Sequence, residues 1–524
     1  MSKKEQITET PETAETAEDK IVTRYDRRMQ KRKDKEEKEK KEEKIARIVG
    51  IVIAAAIVCL IASFPIRTLY ALNSTFIKVD DKKVTKLEFD YNYSVAKNNY
   101  TSQYSYMLSY MGLDLTKDLS TQMYSDTLTW EDFFQQMTVE NMKTNAALIK
   151  EAKAEGFVYD TTQDYADYEK SVREQAASAG ITTEAYIKNV FGSYATMKRL
   201  KGFVEDSMYM SAYYNQVAEG KAPSDDEITA YYEENKDSYD CVDYRLITVD
   251  ADLPEEPTEL ADKTEDVSAS DVSGSDTEEK YQPSEAEIEA AMKVARQEAD
   301  DAEKTIKTEG KLTEKAKKSG INSTYSSWLF EADRKEGDTT IVEDTSNNRY
   351  FVVEFVNRYR DDEPSADIRA VVVKEDQDPQ SILDEWDGTE EGFIALCDQY
   401  SENTVEGGLY EGITNSSLDE ALSSWLFGEE RKEGDTTALT LEDGTGYVLY
   451  YVAQNDPEWK LNIRTTLINQ AMSDYVEEIS AQIEVEDPEG NLNYLKVLAA
   501  QESEAAQEST VAQESSTADV SDSK

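Results

Sequence analysis

An almost wholly apolar run extends from Ile48 to Ile66, IVGIVIAAAIVCLIASFPI, broken only by Ser63, and no charge falls between Arg47 and Arg67. Nineteen residues at about 1.5 Å each rise roughly 29 Å, the thickness of a bilayer's hydrocarbon layer. A buried helix of a soluble protein would keep a polar stripe over that length. The pattern therefore predicts a single transmembrane helix over 48–66. The segment before it, RYDRRMQKRKDKEEKEKKEEK from Arg24, is dense in Arg and Lys. The positive-inside tendency makes 1–47 a charged cytoplasmic segment and places the bulk of the chain outside the cell membrane. A cleaved signal peptide would have a shorter charged leader. Cys59 leaves lipid attachment open as an alternative, although Val58 stands before it where a small residue is preferred.

From Phe76 the pattern changes to FIKVDDKKVTKLEFDYNY, which reads as two short strands, an Asp-Asp-Lys turn between them and a helix start. Three long stretches beginning at Trp130, Tyr165 and Thr183 then repeat apolar residues every three and four positions, as Leu148, Ala152 and Phe157 do. Gly156 and Gly180 stand where helices should stop, and Pro223-Ser224 opens another. These signals predict a helical domain over 74–240. Its many Tyr, Met and Phe side chains fill a core. Flexible Met and amphipathic Tyr also suit a surface that holds varied unfolded segments.

Beyond 240 the chain repeats itself. SSWLFEADRKEGDTT begins at Ser326 and SSWLFGEERKEGDTT at Ser423, with twelve of fifteen positions identical. Each copy predicts a short helix, an exposed charged turn at Gly337 or Gly434, and a hairpin turning at Asn347-Asn348 or Asp443-Gly444. Upstream, YRLITVDAD from Tyr244 and IRAVVVKED from Ile368 predict first strands, with helical patterns between. The unit is strand, helices, strand, strand, at 241–362 and again at 366–456. Residues 250–283 interrupt the first copy and 499–524 end the chain. Both are acidic or low in complexity and poor in large apolar residues, which predicts disorder. A last amphipathic helix over 457–486, with Leu461, Leu467, Met472 and Ile479 on one face, is expected to dock on the helical domain.

Composition narrows the chemistry. Residues 1–47 hold 15 Lys and Arg against 13 Asp and Glu, which leaves 42 against 96 and a charge of −54 for the rest. Nucleic acid is excluded as a partner, because phosphate backbones are held by cationic faces. His is absent, so Ser-His-Asp and Cys-His catalysis and His metal sites are excluded. Three Cys exclude a disulfide framework and a multi-Cys zinc site. Two isolated thiols at Cys241 and Cys397 are expected, a single bond between them being the alternative. No cofactor and no metal is expected.

At this point the chain resembles a family. VDDKKVTKLEF is similar to the V-N-G-x-x-I-T-x-x-E-F opening of the PrsA and SurA foldases, and SDDEITAYYEENKDSY to the segment that closes their helical chaperone domain. YSENTVEGGLYEG, 400–412, resembles the parvulin S-x-D-x-x-x-x-G-G-x-L-G stretch, and GYVLYYV, 446–452, its closing G-Y-H-I-I-x-V strand. The resemblance spans roughly 74–486. It implies an α+β chain: the membrane helix, a SurA N-like helical domain, two parvulin-like domains and the C-terminal helix.

The polar positions of a parvulin site are stripped from both copies. The His of the opening strand falls on Leu246 and Ala370, that of the closing strand on Phe351 and Val448, and the acidic or thiol position on Asn403. Prolyl isomerisation breaks no covalent bond and faces a barrier of about 20 kcal/mol. An apolar pocket that holds the twisted bond could lower it. In the second copy the candidates are Leu409, Leu418, Leu422, Trp425 and Tyr447, for which core packing is the other reading. The resemblance implies an extracytoplasmic foldase or holdase for unfolded or nascent secreted chains, with isomerase activity weak or lost. An active His-free isomerase and a non-enzymatic envelope scaffold stay open, as does a homo-oligomer.

Overall fold

The computed structural model describes residues 24–255, 281–373, 377–401, 405–415, 418–428 and 431–501. Most of the acidic stretch at 250–283, most of the tail, and Asn403 lie outside them. The described chain mixes helices with three small antiparallel sheets. It divides into two compact units. One is the chain up to Tyr213 with the segment from Val476 onward; the other is Tyr214–Tyr475.

The first unit opens with helix α1, Arg24–Asn73, and passes into the hairpin of β1, Thr75–Val79, and β2, Lys82–Thr85. Asp80 takes a left-handed φ of 52° in its turn, which Asp tolerates better than most residues. Five helices follow: α2 (Lys86–Gln103), α3 (Trp130–Glu155), α4 (Thr162–Ser178), α5 (Thr183–Phe191) and α6 (Met197–Gly220). Their ends have local causes. The Thr85 hydroxyl accepts from the Glu88 amide, Thr129 and Asp132 form a reciprocal capping box, and Gly156 ends α3 in the left-handed region. Leu87 and Tyr91 of α2 are buried among Tyr165, Val172, Ile187, Leu200 and Val204. Trp130 and Phe134 form a second cluster with Leu113.

The second unit begins within α6 and continues with α7 (Asp225–Glu234) and α8 (Lys236–Tyr239). The division at Tyr213 falls earlier than the sequence-based boundary at 240. The reason is burial: Ile228 and Tyr232 of α7 pack against Trp459 and Ile463 of the late helix α14, Glu458–Ser480. The first module holds β3 (Cys241–Asp250), α9 (Glu285–Glu309), β4 (Lys311–Lys317), α10 (Ser323–Leu329), β5 (Thr339–Asp344) and β6 (Arg349–Tyr359). The second holds β7 (Pro364–Val373), α11 (Pro379–Leu383), α12 (Glu390–Tyr400), β8 (Leu409–Ile413), α13 (Glu420–Phe427), β9 (Thr436–Thr440) and β10 (Gly446–Pro457). The sheets run β4-β3-β6-β5 and β8-β7-β10-β9, so the order second, first, fourth, third recurs.

The repeated fifteen residues do the same work in both modules. Gly337 and Gly434 have φ of 86° and 87°, a region that costs other residues strain. Their amides donate to the carbonyls of Phe355 and Tyr451, both at 2.9 Å. The amides of Phe355 and Tyr451 return bonds to Asp338 and Asp435, also at 2.9 Å. Arg334 lies over Trp328 at 4.5 Å and Arg431 over Trp425 at 4.6 Å, so each charged turn is pinned to its short helix by a cation–π contact.

Within α14, from Val476, the chain returns to the first unit. β11, Val485–Glu486, pairs antiparallel with β1, with Val79 opposite Val485. Asn491 Nδ2 donates to the Phe76 carbonyl at 2.8 Å, and Leu492 and Tyr494 are buried. The sheet β11-β1-β2 therefore joins residues about 400 apart in sequence.

Candidate functional site

A half-open cleft of about 480 Å³ lies in the first unit. Hairpin β1–β2 gives it Val79 and Val84, α2 gives Tyr91 and Val95, α3 gives Met142, Ala146 and Ile149, and α6 gives Phe203. The floor is apolar because each element turns a helical or alternate-strand face inward. The rim is ionic. Lys82 Nζ lies 2.8 Å from Glu88 Oε1 and 3.5 Å from Asp206 Oδ2, and Lys150 Nζ lies 2.9 Å from Asp80 Oδ2. Burial pushes the Glu88 carboxyl above its ordinary value, which Lys82 only partly offsets. Glu88 is buried, while the Lys82 head reaches solvent. An apolar floor with charges at the lip can take apolar side chains of an extended or unfolded segment. Sequence patterning alone did not show it: the lining comes from five elements whose contacts are long in range. Tyr and Met enrichment was the one signal present.

The second candidate is the sheet face of the second module that α13 covers. Buried Ala370, Leu422, Leu449 and Tyr451 form it, with Leu418, Trp425 and Tyr447 partly buried against them. Four of the five pocket candidates thus come together. Leu409 does not: it pairs with Arg369, whose guanidinium bonds Glu390 of α12 and the Gly407 carbonyl, on the opposite face. Its neighbour Tyr410, opposite Ile368, is the strand residue that joins the cluster.

The ladder places the closing-strand residues of the second module. Leu449, not Val448, is opposite Ala370, and Val448 packs with Val371, Phe393 and Leu396 under α12. In the first module Phe351 and Leu246 do share a face, with Tyr325 and Phe355. Measured from the bonded glycine turns, Phe355 corresponds to Tyr451, so Phe351 corresponds to Tyr447. The hairpin of the second module is one residue shorter, and in a strand one residue reverses the face.

The two faces differ in filling. Where the first module places Leu246 and Tyr325, the second places Ala370 and Leu422. Phe351 and Tyr325 rings lie 5.2 Å apart and close the first face. The second module leaves Tyr410, Leu418, Trp425 and Tyr447 partly exposed around its smaller centre. Asn403 lies outside the described residues. The thiols of Cys241 and Cys397 are free and buried in different modules, which overturns the single-disulfide alternative. Burial pushes Cys397 up to about 11, so at neutral pH it is a thiol and packs as a small apolar group.

No family model matches the chain, and no curated protein does. Among solved structures it is similar to PrsA from Bacillus subtilis, with 11% identity, 70% of this chain and 92% of that one covered, and a TM-score of 0.23. It is also similar to a chain from work on the virulence factor PEB4 and the periplasmic protein Cj1289, two SurA-like chaperones of Campylobacter jejuni. There the identity is 11%, the coverage 79% and 98%, and the TM-score 0.20. Superpositions this loose assign no residue a role.

Proposed function

We propose that the protein is a membrane-anchored extracytoplasmic foldase or holdase that binds unfolded secreted chains. The observation that carries this reading is the cleft of the first unit, apolar at its floor and ionic at its lip. Such a site rewards burial of apolar side chains without demanding one sequence. Among the described residues, α1 is the helix long and apolar enough to cross a membrane, over Ala46–Asn73, and the basic segment before it supports a cytoplasmic N-terminus. The test is suppression of aggregation of an unfolded client by the full-length protein in nanodiscs. Phe203→Ser and Ile149→Ser should weaken suppression several-fold while the circular dichroism of the chain stays unchanged. Equal suppression by both variants would remove the cleft from the mechanism.

A second reading, weak prolyl isomerisation at the α13 face of the second module, is favoured by the smaller Ala370 and Leu422 at its centre. Its residues would be Leu418, Leu422, Trp425 and Tyr447. They would hold a proline ring by contact alone. The double change Ala370→Leu with Leu422→Tyr copies the first module and should abolish any acceleration of cis-to-trans conversion in a proline peptide. Acceleration that survives the filling would place the activity elsewhere. No acceleration by the parent chain would leave both modules as binding scaffold.

A further inference from the structure

The end of α1 passes from exposed to buried within one turn. Leu69 and Tyr70 are 62% and 46% exposed, and the next residue, Ala71, is 2% exposed. Leu72 packs against the cluster of Leu87, Tyr91 and Tyr165. There is no linker: the Ser74 amide donates to the Tyr70 carbonyl at 2.9 Å, and β1 begins at Thr75. A second hold comes from the far end of the chain. The Tyr70 hydroxyl donates to Glu489, in the loop that Asp487 closes by accepting from the amides of Asn491 and Leu492, each at 2.8 Å. Asn491 ties that loop to β1 through the Phe76 carbonyl.

We propose that α1 is a rigid stalk that seats the first unit directly on the headgroup layer at the outer face of the membrane. This rests on the membrane reading given above. The apolar run ends at Ile66, and Arg67 to Tyr70 rise about 6 Å. One headgroup layer is about 5–8 Å thick. The folded core therefore begins where the headgroups end. Arg67 and Tyr70 are the side-chain types that sit in that layer, with apolar stems inward and polar tips toward water. A flexible tether would let the unit range through the space beyond the membrane. A stalk clamped at Tyr70 and Leu72 confines its cleft to chains close to the membrane surface.

The test uses the full-length protein with Cys59→Ser and Ser178→Cys, labelled at residue 178 and held in nanodiscs that carry an acceptor dye on the headgroups. The parent stalk should give a narrow energy-transfer distance distribution. A short Gly-Ser insert between Arg67 and Thr68 should broaden it at least about twofold. Equal breadth in the two chains overturns the stalk. Amide exchange gives a second readout: residues 68–74 should exchange 100-fold or more slower than an unstructured chain, and free exchange there overturns the proposal even if the insert misfolds. Flotation with vesicles separates the two ideas. A chain that fails to float sinks the membrane reading, while one that floats with a broad distribution sinks the stalk alone.

Discussion

Gly434 isolates backbone strain from packing. Its φ is 87°, and a Cβ there would meet only the Tyr450 hydroxyl at 3.9 Å. Gly434→Ala should therefore cost about 1–2 kcal/mol, the penalty of a left-handed residue with a Cβ, read as a lower denaturant midpoint for the second module. An unchanged midpoint would mean the turn relaxes freely. Glu88 makes a different prediction, about pH. Burial raises its carboxyl above the ordinary value of 4.5. Between the unfolded and folded values the native chain binds a proton that the unfolded chain has released. Stability from this group is thus whole below the unfolded value and is lost as pH rises through the folded one. Glu88→Gln should remove that slope, so its stability relative to the parent should climb between pH 4 and pH 7. A Gln variant less stable than the parent at pH 7 would show that the Lys82 pair outweighs burial. The glycine turns were legible in the sequence because Gly in a charged turn has a single strong reading. The face of Val448 was not legible, because it depends on a one-residue difference in hairpin length that only the ladder shows.

Hairpins, caps and amphipathic helices could be read locally, and the duplicated module followed from SSWLF and KEGDTT. What could not be read was the return of the C-terminal segment. Val485 and Glu486 are too few to show a strand period, and their partner β1 is about 400 residues away. The segment after α14 nonetheless belongs to the first unit: it supplies a strand, the buried Ile483, Leu492 and Tyr494, and the Asn493 bond to Asp132 at 3.1 Å. Leu492→Ala should cost about 2–5 kcal/mol, and truncation after Gln482 should open α3 to protease while the modules stay resistant. Truncated protein with the parent's protease pattern would show that β1 and β2 need no third strand. The sequence-based expectation that the last helix docks on the helical domain missed this strand, because β11 offers no amphipathic signal. The same long range hid the cleft, whose lining needs β1, β2, α2, α3 and α6 together.

Charge acts on the molecule as a whole. The chain beyond Arg47 carries −54, with acidic residues along nearly its full length. Such a field reaches beyond any one cleft, though salt confines it to about 8–10 Å at physiological strength. On the function proposed above, it should steer basic unfolded chains toward the protein and repel acidic ones, changing encounter rates more than final affinity. The rim supports this division of labour: Lys82 and Lys150 are already paired with Glu88, Asp206 and Asp80, so they offer an acidic client little. Association rates of two unfolded clients matched in length and apolar content, one basic and one acidic, should therefore respond oppositely to salt. Raising ionic strength from about 0.02 to 0.3 M should slow capture of the basic client by tenfold or more and speed that of the acidic one, with dissociation rates moving little. If both clients respond alike, capture is governed by apolar burial in the cleft alone, and the acidic surface serves to keep the protein soluble and its copies apart.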